Sequence, residues 1–360
     1  MTEKKSRLIG IDLVRGISAY AITLIHSGGY AASGYWATQV GDFSKFALPF
    51  FMATSFYLLL GGKEKFISYN FIFSKIKRLI VPYIIWSFIY LLFRVFKIIF
   101  LHKYDELITL FKDPVLIIFF GGSALHLYFL PLLFSGSILA IFLRKHLLKR
   151  KIRTLFLLFL VSFIIYDIVV LAGNSADRLE FNASYSIFYA LSILQINPLI
   201  KIVLVELWWL LICLPYIIIA AILNHPYLQT NCQNLNAYTT LLFFFMFILI
   251  NTSGRMLTPL LVTEFIVGHS LLFFAISLSQ NLSQNNLISN LGVCCFGIYF
   301  VHHLIINLLQ TIATKILPNT MQEVSIISLL IFSVFGFLIS WIVTFCFSKN
   351  KVFSKYFLGN

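Results

Sequence analysis

Apolar stretches long enough to cross ~30 Å of hydrocarbon recur along the whole chain, near 8–27, 43–61, 79–101, 119–143, 154–172, 202–223, 238–254, 258–279, 289–315 and 323–347. No water-soluble core absorbs that much apolar sequence: 60% of the 360 residues are hydrophobic and only 11% are charged, far from the composition of soluble domains. In hydrocarbon every backbone N–H and C=O must be satisfied within the chain, which such segments achieve as helices. The expected fold is therefore an all-α, polytopic membrane helical bundle of about ten transmembrane helices, with 1–360 as a single integral-membrane domain. The first stretch is followed by many others and reads as a retained span.

The formal net charge of +14 does not point to nucleic acid, because the basic residues sit in short segments between apolar spans and act as topology signals. Lys4, Lys5 and Arg7 precede the first span; Lys63, Lys65, Lys75, Lys77 and Arg78 follow the second; Arg144, Lys145, Lys149, Arg150, Lys151 and Arg153 follow the fourth. These segments share one side, the cytoplasmic one by the positive-inside rule, and ten spans return the tail with Lys349, Lys351 and Lys355 to it. Both termini are expected to be cytoplasmic. Segment 185–200 ends in Asn197-Pro198 and reads as an interfacial or re-entrant helix, since an eleventh crossing would put the basic tail outside. The five cysteines, Cys213, Cys232, Cys294, Cys295 and Cys346, are odd in number and form no C-x-x-C, so neither a disulfide framework nor a structural zinc site is expected.

The first span carries the most informative pair, Arg15 and His26. A helix turns 100° per residue, so eleven steps return His26 to within roughly 20° of Arg15, about 16 Å along the axis. Ionisable groups within a span are costly and face the bundle interior or a water-filled cavity. Arg15 offers a planar fork suited to phosphate or carboxylate and is placed to hold an anionic donor entering from the cytosol. The competing structural account is that Asp12, three residues earlier, and Arg15 simply satisfy each other. His26 is a candidate general base on an acceptor hydroxyl or a transient acyl carrier, or else a packed polar side chain.

Two further segments carry histidine. G121-GSALHLYFLPLL holds His126 among aromatics, with Gly121 and Gly122 suited to a tight turn; Tyr128 and Phe129 fit either an interfacial aromatic belt or a sugar-stacking surface. L291-GVCCFGIYFVHHLIINLL holds His302 and His303, whose side chains diverge by about 100°, so at most one is expected to face the cavity of Arg15. No metal is expected, because no carboxylate or cysteine stands near them at ligand spacing. Glu264, His269, Asp167 and Glu206 read first as neutralising partners of arginines and second as a proton relay. Lys75, Lys77 and Arg78 have a topology role, with phosphate attraction at the cytoplasmic mouth as a second use; Arg78, just before Pro82, is the best direct phosphate contact. There is no Walker or dinucleotide-binding motif.

Taken in order, these segments resemble the membrane-bound acyltransferase family 3. Arg15 followed by ten residues and His26 resembles its hallmark in the first span. F50-FMATSFYL, K75-IKRLIVPY, H126-LYFLPLL and L291-GVCCFGIYFVHH resemble its later segments in order and spacing. Phe56 stands where that family has glycine, Tyr128 where it has tryptophan, and Cys294-Cys295-Phe296 in place of its serine-tyrosine region. The resemblance implies a stand-alone member, without the fused extracytoplasmic hydrolase-like domain of some relatives. It implies transfer of an acyl group, commonly acetyl, from acetyl-CoA or another acyl-CoA to a hydroxyl of a cell-envelope or exopolysaccharide glycan or lipid-linked sugar. On that basis His26, Arg15, His126 and His302 are the candidate catalytic residues and Arg15, Lys75, Lys77 and Arg78 the candidate donor-binding residues. Membrane lipid and glycan-synthesis proteins are the expected partners. The same internal charges and aromatics fit a second class, a polysaccharide or lipid-linked sugar transporter that makes no covalent bond.

Overall fold

The computed structural model describes residues 7–28, 35–62, 69–100, 102–172, 197–231, 235–257, 260–316 and 325–359. Their helices, in chain order, are α1 (Ile9–Gly28), α2 (Tyr35–Phe43), α3 (Ala47–Leu60), α4 (Tyr69–Lys75), α5 (Val81–Phe100), α6 (Tyr104–Phe111), α7 (Pro114–Phe119), α8 (Phe129–Leu147) and α9 (Ile152–Ala172). The series continues with α10 (Pro198–Leu223), α11 (Pro226–Asn231), α12 (Ala237–Leu257), α13 (Leu260–Asn281), α14 (Asn286–Ile316), α15 (Ile326–Lys349) and α16 (Lys351–Phe357). A 3₁₀ turn at Ser44–Phe46 joins α2 to α3, a π-helical turn at Ile76–Ile80 joins α4 to α5, and a 3₁₀ turn at Leu125–Tyr128 leads into α8. The described residues contain no strand.

Among the described residues nine helical segments are long and apolar enough to cross a membrane. The protein is thus an all-α, polytopic integral-membrane chain. Helix α9, of 21 residues, overlies the expected span at 154–172 but is not one of the nine. The fourth span begins later than the apolar run suggested. The chain breaks after α7 and resumes as a continuous 22-residue segment, His126–Leu147. Of the segment expected to be interfacial, 185–196 lies outside the described residues. Helix α10 begins where Pro198 occupies its first turn and the Asn197 side chain accepts from the Leu199 N–H at 2.9 Å, a cap that fits the fixed φ of proline.

The chain divides into two compact units, each assembled from separate stretches. The first comprises 1–54 and 230–350. In it α1 packs against α13, α14 and α15, and α12 against α13. Small residues allow the α1–α14 approach: a Cβ at Gly292 would lie within 2.5 Å of the Asp12 Cβ and Cγ. Without hydrophobic drive between helices in lipid, such van der Waals contact is what holds spans together.

The second unit comprises 55–229 and 351–360. There α10 packs on α8 and α9, and α16 on α5. Phe56, where the resembled family has glycine, is fully buried, and the missing space is supplied across the contact. A Cβ at Gly136 of α8 would fall 2.7 Å from the Phe56 ring.

Candidate active site

The first unit places Arg15 and His26 on one uninterrupted 20-residue helix, α1, so their separation is about 16 Å. Asp12, buried to 4% exposure, pairs with both Arg7 and Arg15. Its carboxylate accepts a hydrogen bond from Arg7 Nε, while Arg15 Nη1 stands 4.0 Å away. Arg7 is further fixed by donating to the Ser289 carbonyl at 3.1 Å and by accepting from Gln284 at its own carbonyl at 2.8 Å. The bond to Asp12 raises the Arg7 guanidinium above its ordinary range. The Asp12 carboxylate is thus shared between Arg7 and the partly exposed Arg15.

His26 lies against α14. Its ring centroid is 5.1 Å from that of His302 and 5.2 Å from that of His303. Both neighbouring imidazoles therefore reach it. Their divergence still lets both rings contact His26, with their own centroids 6.3 Å apart. His302 is completely buried, and its Nδ1 is 3.1 Å from the Ile298 carbonyl. A carbonyl only accepts, so Nδ1 carries the hydrogen and Nε2 holds the lone pair. Despite this gathering, no three His, Cys, Asp or Glu side chains among the described residues are arranged to hold a metal ion.

The second unit carries His126, Lys75, Lys77 and Arg78. His126 sits on the 3₁₀ turn before α8, buried, with its ring edge-on to Tyr90 at 5.1 Å. Tyr128 and Phe129 are buried as well, so neither forms an interfacial belt or an open stacking surface; the turn folds both rings into the protein. Gly121 adopts φ +73°, a left-handed conformation that glycine takes without strain. Its N–H donates to Tyr83 Oη at 2.9 Å, and Tyr83 in turn donates to the Ile118 carbonyl at 3.0 Å. Arg94 donates to the Gly122 carbonyl at 3.3 Å. At the far end of the segment, Asp113 caps α7 by accepting from the Leu116 N–H at 3.0 Å and pairs with Lys201 of α10. The His126 turn is thus clasped by two helices.

Lys75 begins the π-helical turn, with Nζ 5.5 Å from the Phe71 ring centroid, and Lys77 lies 4.4 Å from that of Phe73. Lys77 and Arg78 are exposed. The neutralising role expected of the other acids is not met by Asp167 or Glu206, neither of which forms an ion pair among the described residues; Glu206 is hydrogen-bonded by Ser135 instead. His269 donates from Nδ1 to the Phe265 carbonyl at 2.8 Å.

Sequence reasoning gave no site role to Arg7, His303, Tyr83 or the Lys201–Asp113 pair. Lys201 carried a signal, a lysine inside an apolar helix. His303 and Tyr83 act through partners distant in sequence.

A family model described as an acyltransferase domain, that of acyltransferase family 3, matches residues 8–345. The chain belongs to this family and is a membrane acyltransferase. No curated protein and no solved structure matches it.

Proposed function

We propose that this membrane acyltransferase moves an acyl group, most simply acetyl, from acyl-CoA to a hydroxyl of a cell-envelope glycan or lipid-linked sugar in the bacterial cytoplasmic membrane. The observation that carries the reading is the packing of His26 against His302 and His303 on the helix that also bears Arg15. The His302 Nε2 lone pair is suited to accept an N–H from His26, since a centroid separation of 5.1 Å leaves room for one N–H···N bond. That bond would leave the other His26 nitrogen as base.

In this proposal His26 takes the proton of the acceptor hydroxyl as its oxygen attacks the thioester carbonyl. The carbon–sulfur bond breaks, the acyl group is left as an ester, and the departing thiolate recovers a proton. Arg15, about 16 Å away by helix rise, is too far to touch the same atom. It would hold a charged part of the donor. Lys75, Lys77 and Arg78 are separately proposed to attract donor phosphates where the basic loop faces the cytosol. His126, held in its clasped turn, is proposed to contact the acceptor. Glycan-synthesis proteins would supply that acceptor.

The test is transfer of label from labelled acetyl-CoA to envelope glycan by the purified chain in liposomes. His26→Ala should abolish it with insertion intact. Wild-type transfer by that variant would sink the reading.

A further inference from the structure

The π-helical turn at Ile76–Ile80 is built around Arg78. The Val81 N–H bonds to the Ile76 carbonyl, five residues back. Four residues after Arg78 comes Pro82, which has no N–H and supplies no helical hydrogen bond to the Arg78 carbonyl. π-Helical turns of this kind are frequent at functional sites.

The segment 351–359 packs on that turn. After α16 the chain turns at Gly359 with φ +68°, and a Cβ there would overlap the Arg78 carbonyl, lying 2.9 Å from its carbon and 3.0 Å from Arg78 Cα. Leu358 is buried. One helical turn beyond Pro82, the buried Trp86 donates its indole N–H to the Phe357 carbonyl at 2.9 Å, with the two rings edge-on at 6.1 Å. Two contacts therefore hold this segment, Gly359 against the Arg78 backbone of the turn and Phe357 against Trp86 of the helix that the turn leads into.

We propose that Lys351–Gly359 is a positioning brace for Arg78, fixing the backbone from which its guanidinium reaches the phosphates of the acyl donor. The proposal rests on the reading of Arg78 as a donor-phosphate contact. Gly359 and Trp86 touch no substrate; they act through the Arg78 backbone. A side chain at Gly359 would push the turn away, and loss of the Trp86 N–H would loosen it.

The test compares two donors on the full chain in liposomes: acetyl-CoA, and S-acetylpantetheine, which lacks the nucleotide phosphates. In Gly359→Val the ratio of kcat/KM for acetyl-CoA to that for S-acetylpantetheine should fall about tenfold, the size of one charge-assisted contact. Trp86→Phe, which keeps the ring and removes the N–H, should lower it about threefold and carries the test if Gly359→Val fails to insert. An unchanged ratio, or an equal loss with both donors, would overturn the brace. Arg78→Ala separates the two ideas: if it leaves the ratio unchanged, the donor-phosphate reading of Arg78 is wrong whatever Gly359→Val does.

Discussion

His26 of α1 and His302 of α14 face one another with ring centroids 5.1 Å apart, and the Ile298 carbonyl fixes which nitrogen of His302 carries its hydrogen. If His302 orients His26, replacing it should damage turnover and leave donor binding alone. His302→Phe is expected to lower kcat at least tenfold with KM for acetyl-CoA within twofold, against the 10²–10⁴ expected for loss of the base itself in His26→Ala. Steady-state kinetics in liposomes decide it; a rise in KM at constant kcat would place His302 in donor binding.

Arg15 stands 4.0 Å from an Asp12 carboxylate already engaged by Arg7. Arg15 therefore shares that carboxylate with Arg7. Arg15→Ala should weaken acetyl-CoA binding by roughly 10- to 100-fold, the range for hydrogen bonds to charged groups, and Arg15→Lys should fall between, keeping charge but losing the fork. Titration calorimetry on the detergent-solubilised protein would show it, and wild-type affinity in Arg15→Ala would remove Arg15 from the donor site.

The spans and the Arg15–His26 stripe were legible because both depend on local periodicity: apolar length sets a span, and 3.6 residues per turn sets a face. The gathering of His303 was not, because it depends on where α1 lies across α14, which the pattern of either helix alone leaves open. The burial of Tyr128 follows from a turn whose geometry is set by Tyr83, 38 residues from Gly121. The π-helical turn at Arg78 leaves no mark on hydropathy, and only Pro82 hinted at a break. Long-range partners, rather than residue types, account for what was missed.

The close approach of α1 and α14 at Gly292 gives a packing prediction. A methyl group there would collide with the buried Asp12 side chain, which is held by Arg7 and has no free path aside. Gly292→Ala should cost about 1–3 kcal/mol, the usual range for overpacking, read as a lower melting temperature in detergent. The same shift moves His302 relative to His26, so activity should fall further than stability alone accounts for. Unaltered melting would mean that the helices part more easily than their contact implies.

The Lys201–Asp113 pair should respond asymmetrically to removal of either member. Lys201 is 5% exposed within α10, whereas Asp113 also caps α7 through the Leu116 N–H. In Lys201→Met the carboxylate keeps that cap bond and part of its solvation, and the apolar replacement suits the span. In Asp113→Leu the buried ammonium loses its carboxylate and α7 loses its cap together. Breaking a buried pair costs about 3–5 kcal/mol and a lost cap about 1 kcal/mol, so Asp113→Leu should be the more destabilising. The double substitution should recover much of the loss, since apolar residues often replace a buried pair at little cost. Thermal melts of the three variants test the order. Both single variants should also lower transfer through the His126 turn, which this pair anchors at one end, and Tyr83→Phe should do the same from the other by removing two hydrogen bonds. Equal melting of the two single variants would show that the cap contributes nothing and that the ion pair alone holds α7 to α10.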